Sequence, residues 1–138
     1  MSIVQTQTTS FKKELYYGIH DLSTDTIKMA LYNANADLNA DTTAYSTTHE
    51  VSGTGYVAGG VQMTGVTIST SGYTAYVNFN NVDFNASLSN VRCALIYNAS
   101  KANRSIAVLD FGSDKTSADF TVVMPQNTAT TALIRSSN

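Results

Sequence analysis

Residues 94–112 read ALIYNASKANRSIAVLDFG, and this stretch decides the fold. Its two apolar runs, ALIY and IAVLDF, have the length and residue types of β-strands, and the segment NASKANRS between them suits an exposed turn. The pattern predicts a β-hairpin. Because both arms are almost continuously apolar, we expect each arm to be buried on both faces. The hairpin should therefore lie in the middle of a sheet that the rest of the chain covers.

The rest of the chain shows short strand patterns separated by turn signals. The clearest is residues 26–32, TIKMALY, and further strands are predicted at 61–70, 73–79, 82–84, 118–124 and 130–135. One amphipathic helix is predicted at residues 10–22, with Ser10 as its N-cap. The sequence therefore predicts an all-β fold of about eight strands with one short N-terminal helix, in the form of an antiparallel β-sandwich or a small barrel.

A length of 138 residues is typical of one domain, which we place at residues 11–138. Residues 1–10 are polar apart from Ile3 and Val4, and we expect a flexible N-terminal arm. The arm is either a frayed terminus or a segment that orders on a partner, with Ile3 and Val4 as its anchors. Neither a signal peptide nor a membrane-spanning apolar run is apparent, so we expect synthesis in a cytosol and no membrane contact.

The composition favours contacts with proteins over contacts with nucleic acids. Only 13% of the residues are charged, and the net charge is −2. A surface with this charge does not attract a polyanion, which argues against binding of nucleic acid. A polar surface of low charge suits protein interfaces, whose centres are depleted of charged residues.

The sequence offers no pattern for a metal site or a bound cofactor. His20 and His49 lie far apart, and Cys93 has no second cysteine beside it. The glycine-rich segment GTGYVAGG lacks the lysine and the following helix of a phosphate-binding loop. We therefore expect no metal and no cofactor, and we expect Cys93 to be a small buried side chain with a structural role.

Asp110 is the one carboxylate inside an apolar arm of the hairpin. A carboxylate in that position needs a partner, and Arg92, Lys101 and Arg104 are the candidates. A structural ion pair is a better interpretation than an acid catalyst. The other carboxylates lie mostly in turns, so the chain is not expected to be an enzyme.

Four segments together resemble a family of small virion proteins of tailed bacteriophages. They are SFKKELYYGIHDLSTDTIKMALYNA at 10–34, GTGYVAGG at 53–60, VNFNNVDFNAS at 77–87, and ALIYN with IAVLDFG inside 94–112. The resemblance covers the chain from about residue 11 onward. It implies a decoration or cement protein with a jelly-roll-like antiparallel β-sandwich fold, located on the exterior of the capsid and assembled in the bacterial cytoplasm.

The resemblance also implies partners. These are the major capsid protein, whose subunits the chain would bridge, and further copies of the chain itself in a dimer or trimer. We expect the contacts at the N-terminal residues, the polar loop 37–48 and the hairpin tip (residues 98–104), with the interface candidates Ile3, Val4, Phe11, Asp37, Leu38, Tyr45, Asn98, Lys101 and Arg104. A tail, collar or fibre component of the virion is an alternative. A carbohydrate-binding module is a second alternative, since eight tyrosines could stack on sugars although tryptophan is absent.

Overall fold

The computed structural model describes residues 2–137, which fold into antiparallel β-sheets with one short α-helix. The predicted fold class, all-β with a single N-terminal helix, is confirmed. The elements, in chain order, are β1 (Thr6–Gln7), α1 (Thr9–Tyr16), β2 (Ile27–Tyr32), β3 (Val61–Gln62), β4 (Thr67–Ser71), β5 (Thr74–Asn78), β6 (Val82–Asp83), β7 (Leu88–Asn98), β8 (Arg104–Ser117), β9 (Thr121–Val122) and β10 (Ile134–Ser136).

The strands form three sheets. The largest has the order β1-β8-β7-β2-β3, a second has the order β10-β5-β4, and the third pairs β6 with β9. Paired strands run antiparallel throughout. The jelly-roll-like connectivity that the resemblance implies stays a prediction.

The hairpin predicted from residues 94–112 is confirmed as β7 and β8, and it lies in the middle of the largest sheet. Alternate residues of its strands face two different cores. Ala94 and Ile96 pack into the larger core, which also receives aromatic and aliphatic side chains from the smaller sheets. Cys93 and Leu95 pack into a second core on the opposite face. Burial of both faces explains why these strands read as continuous apolar runs.

The second core is covered by the polar loop that follows β2 and by the N-terminal residues. Ala36 and Leu38 of the loop and the partly buried Ile3 pack there against Tyr32 and Val108. The long loop is therefore a cover for one face of the sheet, which explains its length without strands of its own.

The N-terminal segment differs from the expected flexible arm. Thr6 and Gln7 pair with Val108 and Ala107 of β8, and the backbone N–H of Val4 donates to the Leu38 carbonyl at 3.0 Å. These bonds place residues 3–8 along the sheet edge. The strand in the segment Gln-Thr-Gln-Thr is only two residues long, which is too short for an alternating pattern that would predict it from the sequence.

The helix begins and ends earlier than the sequence predicted. Its N-cap is Thr8, whose hydroxyl accepts a bond from the Phe11 backbone N–H at 3.3 Å, so the prediction of Ser10 as the cap is wrong. The helix ends at Tyr16, and Gly18 follows with a φ of +72°. A residue in that conformation cannot continue a right-handed helix, so Ile19 and Leu22 lie outside the helix. The one helix found in residues 2–137 lacks the length and apolar character needed to cross a membrane.

Candidate interaction surface

The three segments expected to contact partners meet along one side of the largest sheet. Loop residues Thr43 and Tyr45 bond to the start of β8, where the Ser105 N–H donates to the Thr43 carbonyl and the Tyr45 N–H to the Asn103 carbonyl, both at 2.9 Å. Ile3 forms a parallel bridge with Leu38 of the same loop. The N-terminal residues, the loop and the hairpin tip therefore form one continuous layer.

Three of the interface candidates are interior residues, which corrects their assignment. Phe11 and Asn98 have no exposed surface, and Leu38 is buried. Phe11 packs in the larger core, Leu38 packs in the second core, and Asn98 makes buried hydrogen bonds. They cannot touch a partner without unfolding part of the chain.

The other candidates keep some exposed surface, and most also hold internal contacts. Val4 and Asp37 are exposed, and Ile3, Tyr45, Lys101 and Arg104 are half-buried. The carboxylate of Asp37 accepts bonds from the Ser2 N–H and the Asn39 amide. Their role at an interface stays a prediction.

A chain of polar side chains fastens helix α1 to the hairpin tip. Glu14 of α1 bonds through one oxygen to His20 Nε2 at 2.8 Å and through the other to Arg104 at 3.2 Å. The amide nitrogen of Asn98 lies 3.0 Å from His20 Nδ1. Because that amide donates, His20 Nδ1 accepts, and Nε2 carries the proton given to Glu14. The His20 side chain has no exposed surface, so this cluster is a structural fastening and not a reactive site.

Asp25 ends the same chain of contacts. Its carboxylate accepts from the Asn98 amide at 2.8 Å and from the Lys101 ammonium at 2.9 Å. Burial opposes ionisation of this carboxyl, but bonds from the Asn98 amide, the Asp21 backbone N–H and the Lys101 ammonium outweigh it and lower its pKa to about 2.

Asp25 should make the stability of the protein depend on acid pH. In the unfolded chain the carboxyl titrates near its ordinary pKa of about 3.9. Because the folded pKa is lower, the ionised form stabilises the fold fully above pH ~4, and this contribution is lost as the pH falls toward about 2. We expect Asp25→Asn to have a lower urea midpoint than the wild type at pH 6, with the difference closing near pH 2. A difference that is constant across this range would contradict the assignment.

Glu50 is the centre of a second polar cluster, which the sequence pattern did not predict. Its carboxylate accepts from the hydroxyls of Tyr45 at 2.6 Å and Tyr56 at 2.5 Å, and from the Gly59 N–H at 2.9 Å. The Tyr97 hydroxyl donates to the Gly59 carbonyl at 2.6 Å, and the Tyr97 ring stacks on Tyr45. The cluster ties the glycine-rich segment 53–60 to β7.

The charge of Glu50 affects the tyrosines around it. Burial, followed by the hydrogen bond to Glu50, raises the pKa of Tyr45 and of Tyr56 well above the ordinary value. Burial and the Glu50 charge raise the pKa of Tyr97 to about 12. These hydroxyls are therefore donors at neutral pH, and none is activated as a base or nucleophile. The only sign of this cluster in the sequence is that tyrosines lie close to Glu50, and this pattern alone does not predict their hydrogen bonds.

The predicted ion pair of Asp110 is present with Arg92, the first of its three candidate partners. The Arg92 Nε lies 3.2 Å from the carboxylate. The backbone N–H of Gly112 and then the Arg92 guanidinium lower the pKa of Asp110. The carboxylate is partly exposed, however, so the expected full burial is wrong. Cys93 is a free, buried thiol whose pKa burial raises to about 12, which makes it a packing residue.

The hairpin of β4 and β5 is largely exposed, and none of the interface candidates lies on it. Ile68 on β4 is 55% exposed, and Tyr73 in the turn is 90% exposed. Residues 51–82, which include this hairpin, contain no Asp, Glu, Lys or Arg. This long uncharged run is the feature of the sequence that could have indicated an interface here. We call residues 67–78 the neutral hairpin.

A groove of about 630 Å³ lies between β8 and the chain after β9. Apolar side chains such as Leu109, Val122 and Leu133 line it, together with the charged Arg135. In the part of the chain that the structure describes, the lining includes no carboxylate, imidazole or thiol side chain. Among residues 2–137, His, Cys, Asp and Glu side chains form no group of three or more that could hold a metal ion.

Comparisons with known proteins found no matching family model, no matching curated protein and no matching solved structure.

Proposed function

We propose that this chain is a structural protein of a bacteriophage virion that decorates the capsid and cements it by bridging subunits of the major capsid protein. The four sequence segments described above suggest this class of protein. The neutral hairpin is the observation that carries the proposal, because it exposes Tyr73 at its turn, within a segment that carries no charged residue. An exposed aromatic residue on an uncharged surface is typical of the centre of a protein interface.

The clusters around His20 and Glu50 support a binding role over an enzymatic one. The central titratable residue of each cluster, His20 or Glu50, makes hydrogen bonds that fix neighbouring segments to the sheet. A protein that binds only the assembled shell stabilises that shell by mass action. Many copies on one shell also gain from repeated contacts.

Adding the purified protein to shells that lack it tests the proposal. We expect it to bind the capsid and to raise the temperature at which the shells break. Tyr73→Ser should weaken binding by roughly tenfold or more, as expected for an aromatic residue central to an interface. Tyr16→Ser is the matched control, because Tyr16 is 93% exposed but lies on helix α1.

The location of bound protein by cryo-electron microscopy separates this proposal from its alternative. Density on the capsid lattice supports the decoration role, and density confined to the tail, collar or fibres supports the alternative. If removal of the protein leaves the breaking temperature of the shell unchanged, the cement role is wrong.

A further inference from the structure

The free edge of β4 is unusual among the sheet edges of this protein. Strands at sheet edges expose unpaired N–H and C=O groups, and proteins normally guard them with lysine, proline, bulges or very short length. The edge strands β1, β3 and β10 have only two or three residues each. Strand β4 has five residues, Thr-Ile-Ser-Thr-Ser, and carries no charge and no proline. It is the last strand of its sheet.

The outer edge of β8 beyond Asp110 gives an internal comparison. It is also unpaired on one side, but it carries Asp114 and Lys115 and begins at Gly112, which has a φ of +82°. These are the usual guards against strand pairing. These two free edges therefore differ: the edge of β8 is guarded and the edge of β4 is not.

The register of the neutral hairpin shows which backbone groups of β4 are free. The two-residue turn Gly72–Tyr73 makes Ser71 and Thr74 a hydrogen-bonded pair, and pairing alternates along the strand from there. Ser69 therefore bonds inward to Tyr76, whereas the N–H and C=O groups of Ile68 and Thr70 point outward. Four backbone groups are available on this edge.

We propose that β4 pairs antiparallel with β4 of a second copy of this chain, across a two-fold axis at Ser69. In a two-fold antiparallel pair, one residue must face its own copy. With Ser69 in that position, Ile68 pairs with the partner's Thr70 and Thr70 with the partner's Ile68, which satisfies all four outward groups on each strand. No like charges meet, because residues 51–82 carry none.

The pairing also covers the exposed side chain of Ile68. Ile68 lies across from Val77 within the hairpin, and on its free side it would lie across from the partner's Thr70. The result is one sheet of six strands, β10-β5-β4 and the same three strands of the partner. Two edges of five residues bury less than the roughly 1,200 Å² of a stable complex, so we expect a weak dimer that strengthens on a lattice. This inference concerns self-association and stands whether or not the partner is a capsid.

Cysteine cross-linking of the isolated full chain tests the pairing and its register. Directly opposed residues outside the hydrogen-bonded pairs have Cα atoms about 4.5 Å apart, which a disulfide can span. Ser69→Cys should therefore form a covalent dimer under mild oxidation, about tenfold faster than Thr67→Cys, whose copies would lie about 13 Å apart. The wild type should not cross-link, because its one thiol, Cys93, is buried.

A second substitution separates pairing from random collision. Thr70→Pro removes an outward N–H that β5 does not use, so the hairpin should keep its structure. In the Ser69→Cys background, Thr70→Pro should abolish the cross-link while the circular dichroism spectrum stays unchanged. Equal cross-linking by Ser69→Cys and Thr67→Cys, or a Ser69→Cys cross-link that persists with Thr70→Pro, would overturn the proposal.

Discussion

Replacing Gly60 with alanine should destabilise the fold by about 3–5 kcal/mol, the largest effect that we expect from a single methyl group in this protein. Gly60 precedes β3 and has a φ of +82°, a conformation that costs alanine about 1–2 kcal/mol. A Cβ atom there would also lie 1.8 Å from the Met29 carbonyl oxygen and 2.9 Å from the Ala30 Cα. Both atoms belong to the backbone of β2, which cannot move without disturbing the middle of the sheet.

Gly72 provides the matched control. It also has a positive φ, +58°, but a Cβ atom there meets no atom within 4 Å. Gly72→Ala should therefore cost only about 1 kcal/mol, the backbone contribution alone. Thermal unfolding followed by circular dichroism compares the two, and Gly60→Ala should lower the melting temperature by roughly 10–20 °C. Equal losses for both variants would show that close approach to β2 is unimportant.

Glu50→Gln should give the second large effect, a loss of about 2–4 kcal/mol in the free energy of unfolding. The carboxylate accepts three hydrogen bonds, from Tyr45, Tyr56 and Gly59. Glutamine keeps the shape but turns one accepting oxygen into a donating nitrogen, so at least one donor of the cluster faces another donor. Urea denaturation measures the loss.

Two comparisons show whether the loss belongs to the cluster. Tyr45→Phe removes one donor and should cost less than Glu50→Gln, and the double variant should lose less than the sum of both. Asp119→Asn removes an exposed carboxyl whose pKa its neighbour Asp83 raises, so this change should leave stability unchanged or slightly higher. A Glu50→Gln variant as stable as the wild type would mean that the tyrosine hydroxyls find other partners.

The sequence pattern predicts the fold best where burial alone decides the structure. A strand that is buried on both faces needs an almost continuous run of apolar residues. Such runs predict the central hairpin and the strand at residues 27–32, and with them the fold class. The strand predicted at 118–124 is only Thr121–Val122, because alternation of apolar residues there reflects packing on the core and not strand pairing. Short edge strands such as β1 have too few residues to show a period.

The candidate surface was harder to predict because it depends on contacts between distant residues. Asparagine is a residue type typical of turns, yet Asn98 is buried. It can be buried because its amide donates hydrogen bonds to His20 and Asp25, which lie far from it in the sequence. Arg92 and Asp110 lie close in a hairpin register, so their pairing could be predicted. Exposure of the neutral hairpin depends on which sheet it joins, and no local pattern specifies that.

The central hairpin also implies an order of assembly for the molecule. Strands β7 and β8 are joined by residues 99–103 alone, so they meet at little cost in chain entropy, whereas β10 must find β5 across a long intervening segment. We expect the transition state for folding to contain β7 and β8, and the sheet of the neutral hairpin to form afterwards. Pulsed hydrogen exchange during refolding should protect Ile96 before Val77, and the reverse order would contradict this sequence of events. A destabilising change in β7 or β8 should then slow refolding, and one in β10 should mainly speed unfolding.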